Sequence, residues 1–168
     1  AVLAGSRDLP RRLLTCRLTP IPYREDSAEL FEAIADEPWA VFLDSGRPHS
    51  SCGQFAGRID ILAARPFITL VTRGGITEIC QSGQVRHASE DPFALLRHYL
   101  AVDAQPTSLP FAGGAIGYFG YDLARRIERL SGQPNDTDTV PDMAVGIYDW
   151  AFVVDHQQRI DMDFHGCN

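Results

Sequence analysis

The chain has no lysine: all 15 of its basic residues are arginines, set against 22 Asp and Glu, for a formal net charge of −7. Such a balance excludes a sequence-independent grip on nucleic acid or on anionic lipid, both of which need a basic face to neutralise phosphates. The two arginine pairs, Arg11–Arg12 and Arg125–Arg126, are isolated, and the second stands beside Glu128 as on a solvated helix face. Long apolar runs are missing too; none approaches the roughly 20 residues that span a bilayer. The leading AVLAGSRDLPRRL has no continuous apolar core of a secretory signal. Cysteine is sparse, with Cys16, Cys52, Cys80 and Cys167 scattered and no C-x-x-C pair, which points to reduced thiols in a cytoplasmic protein. No nucleic acid and no membrane is expected among its partners.

What is present is an ordinary globular composition, 45% hydrophobic and 22% charged over 168 residues, enough for one domain with a real core. LLTCRL (Leu13 to Leu18) reads as a short strand broken by Pro20 and Pro22. EDSAELFEAIADEP reads as a helix capped by Asp26 or Ser27, with Glu29 completing a capping box, an apolar stripe of Leu30, Phe31 and Ile34, and Pro38 as its stop. WAVFLDSG (Trp39 to Gly46) has the continuous apolar run of a strand buried on both faces. RPHSSCGQFAG is a loop by composition. Strands RIDILAA and FITLVTR follow, and Gly74-Gly75 and Gly83 make hairpin turns into ITEICQ and QVRHA. Asp91 and Pro92 open a helix whose Leu95, Leu96, Tyr99 and Leu100 share a face. Asp122 caps a short helix, LARRIERL, and SGQPNDTDTVPD is a polar loop. MAVGIYDWAFVVD reads as one long strand, turning at His156 to Gln158 into RIDMDFH. Strand runs punctuated by helices, joined by hairpins rather than by strict βαβ alternation, predict an α+β fold: a large, mainly antiparallel sheet with flanking helices. Because the chain stops within a strand, at FHGCN, it reads as the N-terminal piece of something longer.

The stretch LPFAGGAIGYFGYD packs four glycines into fourteen residues. A phosphate loop would need G-x-x-x-x-G-K-[ST] or G-x-G-x-x-G entering a helix, and neither is here. The residue entering the helix is Asp122, whose carboxylate would repel a phosphate. The glycines are therefore read as places where backbone or a large side chain of a neighbouring layer presses on a strand, with Ile116, Tyr118 and Tyr121 supplying the packing.

GGAIGYFGYDLARRIE (Gly113 to Glu128) and PDMAVGIYDWAFVVDH (Pro141 to His156), supported by PWAVFLDSG and RIDILAARP, resemble the N-terminal region of the aminodeoxychorismate synthase component I family, and more distantly anthranilate synthase component I. The resemblance covers about two thirds of the chain. It implies the N-terminal part of the anthranilate synthase component I-like fold, with residues 1–168 as a non-catalytic domain and the C-terminal catalytic, chorismate-binding domain outside this chain. It implies that the whole protein aminates chorismate in para-aminobenzoate and folate biosynthesis, with ammonia from a glutamine amidotransferase subunit. The magnesium ion of that reaction and a nucleophilic lysine belong to the C-terminal domain, so no catalytic residue and no cofactor is assigned to this chain. The family's N-terminal region also carries an L-tryptophan pocket built on a serine after the first buried strand and on an aromatic-Ser-Arg-aromatic run. Ser45 matches the serine and Arg58 the arginine, while Ala56, Gly57 and Ile59 stand where the family often has an aromatic residue, a serine and a second aromatic. Without those rings the pocket is larger and less selective for an indole. The competing reading makes Ser45 a turn residue and Arg58 one half of a strand-edge ion pair.

Other constellations carry bland readings alongside sharper ones. Asp161, Asp163 and His165 alternate on one face of RIDMDFH, a spacing that suits a divalent metal and equally a half-solvated strand. Cys52 near His49 lies in a loop and reads as a free thiol. Trp39 and Trp150 read as core or layer-interface anchors, and Asp149 and Asp155 as turn or edge residues. Three alternatives stay open beside the leading one: an anthranilate synthase component I fragment, a free-standing amino-acid-binding module, and a homodimer formed through an exposed apolar sheet face.

Overall fold

A computed structural model describes residues 16–46, 57–100, 110–121, 123 and 140–166, with the side chains of residues 16, 17 and 164–166 excepted. Within them lie ten strands in two antiparallel sheets of five. The first sheet orders β1 (Cys16–Ile21), β10 (Ile160–Gly166), β9 (Trp150–Asp155), β3 (Ile59–Ala63) and β2 (Val41–Leu43) from edge to edge. The second orders β6 (Gln84–Ala88), β5 (Ile76–Gln81), β4 (Ile68–Arg73), β8 (Met143–Tyr148) and β7 (Gly114–Phe119). The strand-rich α+β class thus holds, with the strands divided between two sheets rather than joined in one.

The division falls inside MAVGIYDWAFVVD. Its first half is β8, in the centre of the second sheet, and its second half is β9, in the centre of the first; Asp149 separates them. One extended segment therefore ties the sheets together. At the joint Ala63, Ile116, Tyr148 and Ala151 are buried together, with Val41, Ile61 and Phe111 packed against them.

Helix α2 (Pro92–Leu100) starts as the sequence dictates, Asp91 accepting the Ala94 N–H at 3.0 Å. Its Leu95 and Leu96 pack with Ile68, Leu70, Ile79, Met143, Val145 and Ile147 on one face of the second sheet. The helix α1 (Ser27–Glu32) is shorter than the expected run. Asp26 caps it by accepting the Ala28 N–H, and Glu29 pairs with Arg24 at 2.9 Å. Leu30, Phe31 and Ile34 lie over Leu62, Val154 and Phe152 of the first sheet, so the expected apolar stripe is the packing stripe.

Four expectations are corrected. The first strand runs on through Pro20, because β1 is a sheet edge, where a missing N–H is tolerated. Trp39 to Gly46 yields only a three-residue edge strand, and Leu43 on it is 44% exposed rather than buried on both faces. Trp39 is a 37% exposed residue in the left-handed backbone region (φ 58°), not a core anchor. In the glycine stretch, the backbone that presses on Gly117 belongs to β8 of the same sheet, not to another layer: a Cβ there would meet the Ala144 carbonyl and would sit 2.6 Å from Val145 Cα. Ile116 is buried, but Tyr118 (42%) and Tyr121 (85%) are exposed and do not pack as expected. The expected helix at LARRIERL beyond Leu123, the loops holding Cys52 and His49, and Ala56 lie outside the described residues.

Candidate functional site

Asp60 is the second residue of β3, between Ile59 and Ile61, and is only 2% exposed. An ionised carboxylate in such a place is costly unless donors meet its oxygens. Four do. The Ser45 N–H and hydroxyl reach Oδ1 at 2.9 and 2.6 Å. The Ser27 hydroxyl and His156 Nε2 reach Oδ2 at 2.6 and 2.8 Å. Burial works against ionisation, but the hydrogen bonds from Ser27, Ser45 and His156 outweigh it and bring the Asp60 pKa down to about 2.

The donors come from three separate places: the first residue of α1, the segment after β2, and the turn after β9. Tyr23 extends the group, its hydroxyl 3.0 Å from His156 Nδ1. The His156 N–H donates to the Arg58 carbonyl at 2.8 Å, fixing the turn to the start of β3.

A second buried carboxylate lies on the same cross-strand row, since Asp60 faces Val154 and Val154 faces Asp161. Asp161 is 1% exposed and accepts the Arg24 N–H on Oδ2 at 2.9 Å, while Oδ1 has no hydrogen-bond partner. Burial pushes its pKa up, and the Arg24 N–H and the neighbouring His156 offset this only in part. The alternation in RIDMDFH therefore does not mark a half-solvated strand at Asp161, because α1 and its flanks lie over that face. Among the described residues no three His, Cys, Asp or Glu side chains form a metal-holding group, and the His165 side chain is outside them.

Of the residues singled out for a ligand pocket, Ser45 is held at three points: its N–H and hydroxyl by Asp60, and its carbonyl by the Gly57 N–H at 3.2 Å. Gly57 is buried with φ 73°, a left-handed conformation that glycine adopts without strain. Arg58 grips Asp155, Nη2 to Oδ2 at 2.9 Å and Nε to both oxygens at 3.2 and 3.3 Å. Ile59 alternates away from Asp60 and is half-buried. The structure thus gathers Ser45, Gly57 and the Arg58 backbone around one carboxylate. Sequence reasoning missed that carboxylate, together with Ser27, Tyr23 and His156. The one local signal was an aspartate inside the apolar strand RIDILAA.

No family model matches the chain. The chain is 42% identical to aminodeoxychorismate synthase component 1 of Klebsiella aerogenes, over 88% of this chain and 33% of that protein. It is 43% identical to the protein of that name from Escherichia coli (strain K12), over 82% of this chain and 30% of that protein. Anthranilate synthase alpha subunit 2, chloroplastic, of Arabidopsis thaliana is 29% identical, over 89% of this chain and 25% of that protein. Among solved structures, anthranilate synthase component I from Streptococcus pneumoniae TIGR4 superposes with a TM-score of 0.54 at 30% identity, covering 73% of this chain and 27% of that one. The chain spans about a third of the length of the curated relatives it matches. Among the described residues no helix is long and apolar enough to cross a membrane.

Proposed function

We propose, from the premise that this chain belongs to the component I family of aminodeoxychorismate and anthranilate synthases, that it is the N-terminal, non-catalytic region of an aminodeoxychorismate synthase component I. The observation that carries this reading is identity above 40% to two proteins of that name across more than four fifths of the chain. On it, the whole protein works in the cytoplasm and takes chorismate and ammonia to 4-amino-4-deoxychorismate and water. The ammonia comes from a glutamine amidotransferase partner. On the same reading, magnesium and the catalytic residues, a lysine nucleophile among them, belong to the C-terminal chorismate-binding domain.

The role of these 168 residues is then that of a scaffold and of one wall of an L-tryptophan pocket. Ser45 and Arg58 are its polar groups, Ala56, Gly57 and Ile59 its neighbours, and the rest comes from the catalytic domain. What supports it is the fixed placement of Ser45 beside the Gly57–Ile59 segment. Leu18, Leu43 and Ile160 leave apolar surface on the first sheet that a homodimer of the isolated chain would cover.

The test is a product assay on the protein at its full coding length, with chorismate, glutamine, magnesium and an amidotransferase subunit. The expected product is 4-amino-4-deoxychorismate, and the 168-residue chain alone yields none. Anthranilate as the product would replace this reading with the second one, which the solved structural relative favours. No amination at all, with tryptophan bound as tightly by the isolated chain as by the whole protein, would make it an amino-acid-binding module.

A further inference from the structure

We propose that the recess between the β5–β6 hairpin and the last turn of α2 is a binding site for a small monocarboxylate, taken up by Arg86. It lies on the second sheet and uses none of the residues gathered around Asp60. The hairpin turn builds it. Ser82 and Gly83 both have positive φ, 52° and 77°, the geometry of a two-residue hairpin loop, and such a loop fixes the strand register. Ile79 then faces Arg86 and Gln81 faces Gln84 across the strands, all four on one face of the sheet. It is the face that α2 covers, because Ile79 is buried with Leu95 and Leu96 and Tyr99 packs against that core. Where the helix ends, a cavity of about 220 Å3 opens, lined by Ile79, Gln81, Ser82, Gln84, Arg86 and Tyr99.

Its floor is apolar and its wall is rich in donors. Arg86 Nη2 donates to the Tyr99 hydroxyl at 2.7 Å, which steadies the guanidinium at the wall. Among the described residues no carboxylate pairs with Arg86, and the Gln81 and Gln84 carboxamides and the Ser82 hydroxyl have no hydrogen-bond partner. A guanidinium stays charged and presents a planar fork that matches a carboxylate. One cation neutralises one negative charge. The carbonyl end of α2, which carries partial negative charge, stands beside it, so a phosphate ester would keep charge that nothing offsets. A monocarboxylate leaves none. Its apolar body would lie over Ile79 and the Tyr99 ring, and the carboxamides and the Ser82 hydroxyl would bond any hydroxyl or carbonyl group it carries. The ligand is small, since the cavity is below the ~300–1,000 Å3 that drug-sized molecules occupy.

The experiment is a ligand-observed NMR titration of the protein at its full coding length with benzoate, benzamide, which keeps the shape and lacks the charge, and phenyl phosphate. Wild type is expected to bind benzoate about tenfold or more tightly than benzamide, the range of one charge-assisted hydrogen bond, and more tightly than phenyl phosphate. Arg86 is exposed, so its variants keep the fold. Arg86→Gln should weaken benzoate about tenfold, Arg86→Lys should retain part of the binding, and Tyr99→Phe, which frees the guanidinium, should weaken it several-fold. Arg97→Gln, on an exposed arginine that faces Asp91, should change nothing. Benzoate binding that is absent in wild type, or that survives Arg86→Gln unaltered, overturns the proposal. Equal losses in Arg86→Gln and Arg97→Gln would mark a general charge effect and overturn it too. Phenyl phosphate bound more tightly than benzoate refutes the choice of a monocarboxylate. None of these outcomes bears on which product the whole protein makes.

Discussion

At the scale of single residues, the two buried aspartates of the first sheet are opposites. Asp60 has a donor for every acceptor position, so truncating it strands the buried Ser27 and His156 side chains and the half-buried Ser45 N–H. Asp60→Ala should cost about 3 kcal/mol or more in chemical denaturation, the range for breaking a buried charged network from one side. Its pH signature follows from the lowered pKa. The contribution is complete above the ordinary value of 3.8 and is lost as pH falls from there towards about 2, so this part of the acid limb of a stability profile should vanish in the variant. Asp161 has one donor and one bare oxygen, and its raised pKa means that the folded state binds a proton more readily than the unfolded chain. Its effect is favourable at low pH and is lost as pH rises through the folded value. Asp161→Asn should therefore stabilise the protein at pH 7, with the gain shrinking as pH falls through the raised folded value towards the ordinary 3.8. None of this was legible at Asp60, because its partners stand at positions 27, 45 and 156 and no local period links them. At Asp161 the alternation was legible, and so was the helix α1, but not that the helix lies over this row, so a buried row read as a wet one.

At the scale of elements, hairpins were the readable part. Gly74-Gly75 and Gly83 supply the backbone freedom that tight turns need, and such signals are local. Pairings between distant strands, β3 with β9 or β7 with β8, depend on side chains that meet only after folding, which is why MAVGIYDWAFVVD looked like one strand of one sheet. Two glycines separate the roles cleanly. Gly117 has the β8 backbone against it, so Gly117→Ala should force β7 and β8 apart and cost about 1–3 kcal/mol, with faster hydrogen exchange along that pair. Gly75 has open space around its missing Cβ and lies on the surface, so Gly75→Ala should leave stability within about 0.5 kcal/mol of wild type. If both variants lost stability equally, close strand approach at Gly117 would not be the reason that glycine is there.

At the scale of the whole molecule, the chain passes directly between the two sheets from β3 to β4 and from β8 to β9, and a small cluster is buried at the second crossing, with Tyr148 its largest side chain. Its hydroxyl donates to the Trp39 carbonyl at 2.9 Å, reaching from the last residue of β8 to two residues before the first sheet's edge strand β2, and burial raises its pKa to about 12. That bond also helps to keep Trp39 in its left-handed conformation. Tyr148→Phe leaves the ring and strands one carbonyl, a loss of about 1 kcal/mol. Tyr148→Ala empties the joint, and a large-to-small change of this kind costs about 3–5 kcal/mol. The two variants should also differ in kind. With the joint intact, amides of β4, β5 and β8 and those of β3, β9 and β10 should exchange as one cooperative unit. With it emptied, the sheets should open separately, because each keeps its own core, one under α2 and one under α1. Hydrogen exchange that stays uniform across both sheets in Tyr148→Ala would show that the backbone crossings between the sheets, rather than the packing at the bend, couple the two halves.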